Sequence, residues 1–173
     1  AESEDPEFRP GGALEGAIAG EVLDELTDAE AVLAPGTRLG RFEITGLLGR
    51  GGVGQVYRAR DPVLGREIAI KALAGAFRTD PQALRRFERE ARVLATVNHP
   101  NVGAIHGLET IDGQPYLLLE LVHGETLEER LRRGRLSWRD AVTLGVQMAE
   151  ALEKAHRQGV VHRDFKPGNV KLT

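Results

Sequence analysis

The sequence predicts an α+β protein: five antiparallel strands with one inserted helix, followed by a region that is helical throughout. Three observations carry this reading. The hydrophobic period is two from Arg41 to Glu120, broken once, between Asp80 and Val97, by a period near 3.6. Turn residues separate the period-two runs at hairpin-like intervals, which favours antiparallel pairing. After Leu121-Val122-His123-Gly124 there is no further strand pattern, and two helix-capping signals follow.

The chain of 173 residues is long enough for one domain or two small lobes. A hydrophobic share of 41% and a charged share of 28% are ordinary for a globular protein. A net charge of -3 supplies no bulk attraction for nucleic acid or an anionic membrane. With no cysteine, a disulfide framework and a thiolate zinc site are excluded, which fits the cytoplasm. No apolar run approaches the roughly 18 residues of a membrane segment, and the acidic N-terminus does not read as a signal peptide.

In chain order, residues 1–36 read as an acidic leader, with Leu14, Ile18, Val22 and Leu26 marking one amphipathic helix from Ala13 to Leu33. The first strand runs from Phe42 to Leu48, with Phe42, Ile44, Gly46 and Leu48 on one face. Gly49 to Gly54 follow. A GxGxxG run is shared with dinucleotide-binding folds, but those require a helix next. Here β-branched and aromatic residues come next, closed by the turn Asp61-Pro62-Val63-Leu64-Gly65, so the glycines cap a β-hairpin. Glycines there allow close backbone approach and turn N–H groups toward phosphates. The strand Arg66 to Leu73 places Ile68 and Ile70 on one face and Ala69, Lys71 and Leu73 on the other.

Asp80-Pro81 opens a helix whose stripe is Leu84, Phe87, Ala91, Leu94 and Val97. On a 100° wheel Glu90 falls between Leu94 and Val97, at the edge of the buried face. An inward carboxylate and the apolar-flanked Lys71 each need a counter-charge, so they are a predicted pair. His99 reads as a turn residue. Two strands, Val102 to Glu109 and Gln114 to Glu120, flank a turn at Ile111-Asp112-Gly113, and Tyr116-Leu117-Leu118-Leu119, apolar on both faces, predicts a central strand. Thr126 with Glu129 predicts a capping box for a short helix ending at Gly134. Ser137 with Asp140 opens a helix to Gln158, with Val142, Gly145, Ala149, Leu152 and His156 as its expected buried stripe and Gly159 after it. Trp138 and His156 are expected to pack.

The last motif is His162-Arg163-Asp164-Phe165-Lys166-Pro167-Gly168-Asn169. It holds a carboxylate, an ammonium and an amide in one loop, with Pro167 restricting the backbone. A carboxylate can orient or deprotonate a hydroxyl, an ammonium can neutralise oxyanion charge, and an amide oxygen can ligate Mg2+.

Together these motifs resemble those of a bacterial-type (eukaryotic-like) serine/threonine protein kinase. Gly49-x-Gly51-x-x-Gly54-x-Val56 is similar to the glycine-rich loop over the ATP phosphates, with Gly52 inside it. Ile68-Ala69-Ile70-Lys71 resembles the strand carrying the phosphate-binding lysine, Glu90 its helix partner, and His162-Arg163-Asp164 with Asn169 the catalytic loop. The resemblance implies a kinase-like fold over roughly Gly40 to Thr173, with an N-lobe at 37–119, a hinge at 120–124 and part of a C-lobe at 125–173. It implies that Asp164 accepts the proton of a protein Ser/Thr hydroxyl, Lys166 faces the moving phosphoryl group, and Asn169 holds Mg2+. It implies that Lys71, set by Glu90, holds the α/β-phosphates of ATP, and that Leu48, Val56, Ala69 and Leu119 wall the adenine. The main chain of Glu120 and Val122 would bond the base.

Kinases place an Asp-Phe-Gly segment shortly after this loop, and its aspartate is a principal Mg2+ ligand. The sequence stops at Thr173 without one. The expectation is the N-terminal portion of an ATP-dependent kinase, inactive by itself, whose longer form could be membrane-anchored downstream. The alternative is a non-catalytic nucleotide-binding or interaction module.

Overall fold

The computed structural model describes residues 32–51, 54–73, 80–162 and 164–173. The leader helix expected at 13–33 falls largely outside these residues, as do Gly52 and Arg163. Its last residues, Val32 and Leu33, are described and are not helical. The described residues form two compact units, one of residues 32–96 and 104–121 and one of 97–103 and 122–173.

The first unit is a six-stranded antiparallel sheet. Its strands are β1 (Arg38–Leu39), β2 (Phe42–Gly51), β3 (Gly54–Asp61), β4 (Arg66–Leu73), β5 (Ile105–Ile111) and β6 (Gln114–Glu120), in the order β1-β2-β3-β4-β6-β5. The five long strands are those read from the sequence, and β6 is central as its doubly apolar pattern requires. The two-residue β1 is additional. Helix α1 (Pro81–Leu94) is inserted after β4, and the Asp80 carboxylate accepts the Gln82 N–H at 2.8 Å as its N-cap. Asp112 and Gly113 carry φ of +52° and +77°, the mirror-image turn that matches strand twist and joins β5 to β6 tightly.

Period two sorts the sheet into two cores. Tyr57, Ala59, Ile68, Ile70 and Leu118 cluster with Phe42 and Ile44, and Leu33 packs against this group. Ala69, Leu73, Leu117 and Leu119 cluster instead with Phe87 and Ala91 of α1. Alternation fails in β2, where register shifts lie between Ile44 and Gly46 and between Leu47 and Gly49. Such bulges re-aim side chains. Leu48, expected to face inward, sits in the second shift and is 44% exposed.

The second unit contains a two-stranded clip, β7 (Glu125–Thr126) with β8 (Lys171–Leu172), and helices α2 (Leu127–Arg132) and α3 (Trp138–Arg157). The capping box is present: the Thr126 hydroxyl accepts the Glu129 N–H, and the Glu129 carboxylate accepts the Thr126 N–H at 2.7 Å. Ser137 caps α3 through the Asp140 N–H. Leu127, Leu144, Val170 and Leu172 form the core, with Met148 against it.

The expected stripe of α3 is therefore on the wrong side. Its buried residues are Leu144, Ala151 and Ala155, whereas Val142, Ala149 and His156 are exposed and Trp138 is 72% exposed. The helix carries two apolar stripes. Contact with Leu127 and Leu172 selects the one containing Leu144. The other lines an open depression formed by Ala149, Leu152, Glu153, His156 and Arg157.

Gly124, at the entry to β7, is fixed by its neighbour. A Cβ there would lie 1.9 Å from the Leu172 carbonyl oxygen, and its φ is +117°. Gly124→Ala is expected to cost about 3 kcal/mol, from a backbone clash and an unfavourable φ together. Urea denaturation of the purified chain measures it, and a loss below 1 kcal/mol would show that the clip relaxes freely.

Candidate functional site

In the sheet unit, Gly49 pairs with Val56, Arg50 with Gln55, and Gly51 with Gly54, so the glycine run is the end of the β2–β3 hairpin. Gly54 takes a φ of +117°, which only glycine adopts without strain. Val56 pairs with Lys71, Lys71 with Leu117, and Ala69 with Leu119. Paired residues share a face, so Val56, Ala69, Lys71 and Leu119 lie together on the face that meets α1. Ala69 is fully buried, Leu119 is buried, and Lys71 is half-buried. The Glu120 N–H donates to the Ala104 carbonyl at 2.8 Å, and its carboxylate accepts the Ala104 N–H at 2.9 Å. Its carbonyl, not its N–H, is thus the group left for a base.

Glu90 departs from expectation. It is exposed. The cause lies in where α1 stops. The helix ends at Leu94, and Thr96 turns back to the Val93 carbonyl through both its N–H and its hydroxyl. Val97 is off the wheel, so the buried face is set by Phe87 and Ala91, which are buried, with Leu84 and Leu94 partly so. Glu90 lies at its flank.

In the helical unit the loop after α3 is tightly bonded. The Asp164 N–H donates to the His162 carbonyl at 2.6 Å. A single 3-10 turn, Pro167–Asn169, follows with Pro167 at its first position, where a missing N–H costs nothing. The Asn169 amide donates through Nδ2 to the Asp164 carbonyl at 2.9 Å and to Asp164 Oδ2 at 3.1 Å. Lys166 Nζ lies 2.9 Å from the same Oδ2. Among the described residues Asp164 Oδ1 has no partner, so one carboxylate oxygen is held and the other is open. The loop's exit is anchored by β8: the Leu127 N–H donates to the Val170 carbonyl at 2.8 Å, and Lys171 Nζ to the Gly124 carbonyl at 3.1 Å.

The Lys166 hydrogen bond holds the Asp164 carboxyl below the ordinary carboxylate range. Burial opposes the shift, while the Asn169 hydrogen bond and the Lys166 charge assist it. Asp164 is therefore ionised at neutral pH. A carboxyl depressed on folding contributes stability above its unfolded pKa and loses it as pH falls through the lower folded value. Lys166→Met is expected to move the Asp164 midpoint upward in a carboxyl NMR titration; an unchanged midpoint would remove Lys166 as the cause.

His162 is 3% exposed, stacks edge-on against Phe165 at 5.3 Å, and has neither ring nitrogen hydrogen-bonded. Burial pushes its pKa down, so it is neutral and acts as a packed plug. Its place in the loop was legible; its burial was not, since no periodicity extends there. Gly124 was equally hidden, because as a sequence signal it only breaks a strand.

Among the described residues no group of three or more His, Asp and Glu could hold a metal. Asn169 spends its amide nitrogen on Asp164, which leaves its oxygen for a cation. That fits one ligand of a Mg2+ whose remaining ligands are water and phosphate oxygens. No helix among the described residues is long and apolar enough to cross a membrane.

Residues 42–173 match the family model described as protein kinase domain. The chain is 44% identical over 143 residues to the serine/threonine-protein kinase PknA of Mycobacterium tuberculosis, covering 79% of this chain and 33% of that protein. It is 44% identical over 139 residues to the probable serine/threonine-protein kinase SCO3848 of Streptomyces coelicolor, covering 78% of this chain and 21% of that one. The chain thus spans about a third or less of these relatives. It also superposes on the kinase domain of PknI from Mycobacterium tuberculosis with a TM-score of 0.71 at 28% identity, over 82% of this chain and 59% of that one. The match begins at the first residue of β2 and runs through every strand, helix and loop that carries the groups above, and the chain therefore belongs to the protein kinase family, among its bacterial serine/threonine members.

Proposed function

We propose that this chain binds MgATP and serves transfer of the γ-phosphoryl group to a Ser or Thr hydroxyl of a protein. The observation that carries the reading is the asymmetry of Asp164. Lys166 and Asn169 fix Oδ2, and Oδ1 remains open to accept a hydroxyl proton. A module that only bound nucleotide would have no use for an ionised, half-exposed carboxylate held this way.

In this reading the hairpin N–H groups at Gly49, Gly51, Gly52 and Gly54 and the Lys71 ammonium hold the phosphates. Leu48, Val56, Ala69 and Leu119 flank the adenine, and the main chain of Glu120 and Val122 bonds its edge. Asp164 orients the hydroxyl, and Lys166 screens charge on the moving group. Catalysis is then positioning and charge neutralisation. Mg2+ brought with ATP would further neutralise the phosphates, with Asn169 as a ligand. Because the described residues supply so little of a metal site, the 173-residue chain is expected to bind MgATP and to turn it over poorly. Residues 37–119 and 125–173 serve as the two lobes, 120–124 as their connection, and the reaction belongs in the cytoplasm, where ATP is abundant.

A second reading, a non-catalytic nucleotide-binding module, draws on the exposed position of Glu90 on α1. Calorimetric titration of the chain with MgATP, paired with labelled phosphate transfer to a Ser/Thr-rich protein, separates the readings. No binding at millimolar MgATP would remove both. Binding without Asp164-dependent transfer, in this chain and in any longer form, would leave the module.

A further inference from the structure

We propose that Tyr57 is a positioning residue for the glycine hairpin, and that it is latched by Leu33, a residue upstream of the family match. The proposal rests on the reading of that hairpin as a nucleotide-binding element.

Tyr57 pairs with Ile70 while its neighbour Val56 pairs with Lys71, so Tyr57 lies on the sheet face opposite Lys71. Its side chain is 1% exposed, packed with Phe42 and Ile44. A buried hydroxyl needs partners, and this one has two. The Leu33 N–H donates to Tyr57 Oη at 3.2 Å, and the Tyr57 O–H donates to Gln55 Oε1. Gln55 and Tyr57 share a face because they are two apart on one strand. Gln55 directly follows Gly54 and pairs with Arg50 across the hairpin and with Ala72 of β4. The tether therefore grips β3 one residue from the glycine that ends the hairpin.

Leu33 is not loosely placed. It packs against the Tyr57 core, and the segment after it is bonded to β2: the Gly36 N–H donates to the Ile44 carbonyl at 2.8 Å, and the Ile44 N–H to the Thr37 carbonyl at 2.9 Å. The family match starts only at residue 42. Glycines give the hairpin conformational freedom, and ordering that freedom on binding weakens affinity. A relay from the Leu33 main-chain N–H through the Tyr57 hydroxyl to the Gln55 side chain removes part of it beforehand.

Tyr57→Phe keeps the ring and deletes the relay. In the 173-residue chain it is expected to raise amide hydrogen exchange in strand segments 46–51 and 54–58 and to weaken MgATP binding about three- to tenfold. A chain shortened to begin at Ala34 is expected to show the same changes, and the two alterations together no more than either alone. A purely packing role would lower the melting temperature while leaving the dissociation constant and the hairpin exchange unchanged; that result, or full additivity, overturns the proposal. If the unaltered chain binds no MgATP, the nucleotide reading fails separately. The exchange measurement then decides the relay, with faster hairpin exchange sustaining it and unchanged exchange ending it.

Discussion

Replacing Lys71 with methionine is expected to weaken MgATP binding about ten- to a hundredfold while leaving the chain folded. Lys71 sits mid-strand on β4, in register between Val56 and Leu117, on the face that also carries Ala69 and Leu119. Its stem is thus set by two neighbouring strands. A charge-assisted hydrogen bond of this kind contributes about 1.5–3 kcal/mol, which corresponds to that loss of affinity. Methionine has a similar length and packs readily on an apolar face, so thermal stability changes little. Calorimetry checks the expectation. A dissociation constant within threefold of the unaltered chain would mean that this lysine does not hold phosphate.

Asp164→Asn is expected to lower phosphoryl transfer by about a hundred- to ten-thousandfold and to leave MgATP affinity within about twofold, wherever a form of the protein gives measurable turnover. The substitution preserves shape, so the amide oxygen can still receive the Asn169 and Lys166 hydrogen bonds that now end on Oδ2. What it removes is the negative charge that, in the proposed reading, aligns the acceptor hydroxyl and takes its proton. Initial rates beside binding titrations distinguish this from a general loss of structure. Equal losses of rate and affinity would reassign Asp164 to nucleotide binding.

Much of the fold was readable because several local signals agreed. Strands β4 and β6 were bounded correctly by period and turn residues, and Thr126 with Glu129 announced a capping box that the structure contains. Failures came where one pattern admitted two answers. Treating Val97 as helical rotated the expected buried face of α1 toward Glu90, and the turn at Thr96 removed that justification. On α3 two stripes were both apolar enough, and only partners distant in sequence, Leu127 and Leu172, chose between them. Bulges in β2 reversed Leu48 because a period of two cannot register an inserted residue. In the candidate site, the residue types were legible from motifs. The division of labour on Asp164, with one oxygen held and one open, was not, since it depends on the turn at Pro167.

The β7–β8 clip has a consequence for when the loop acquires its shape. The pairing of Glu125 with Leu172 and of Thr126 with Lys171 closes a long stretch of chain, with Gly124 and Lys171 lying 47 positions apart. Bringing such ends together costs about 3 kcal/mol of chain entropy, and a two-residue ladder alone cannot offset it. Helices α2 and α3 must already be docked on Val170 and Leu172 before the clip can hold. The Asp164–Asn169 geometry is then among the last features to form during refolding, and among the first to be lost when this unit begins to unfold.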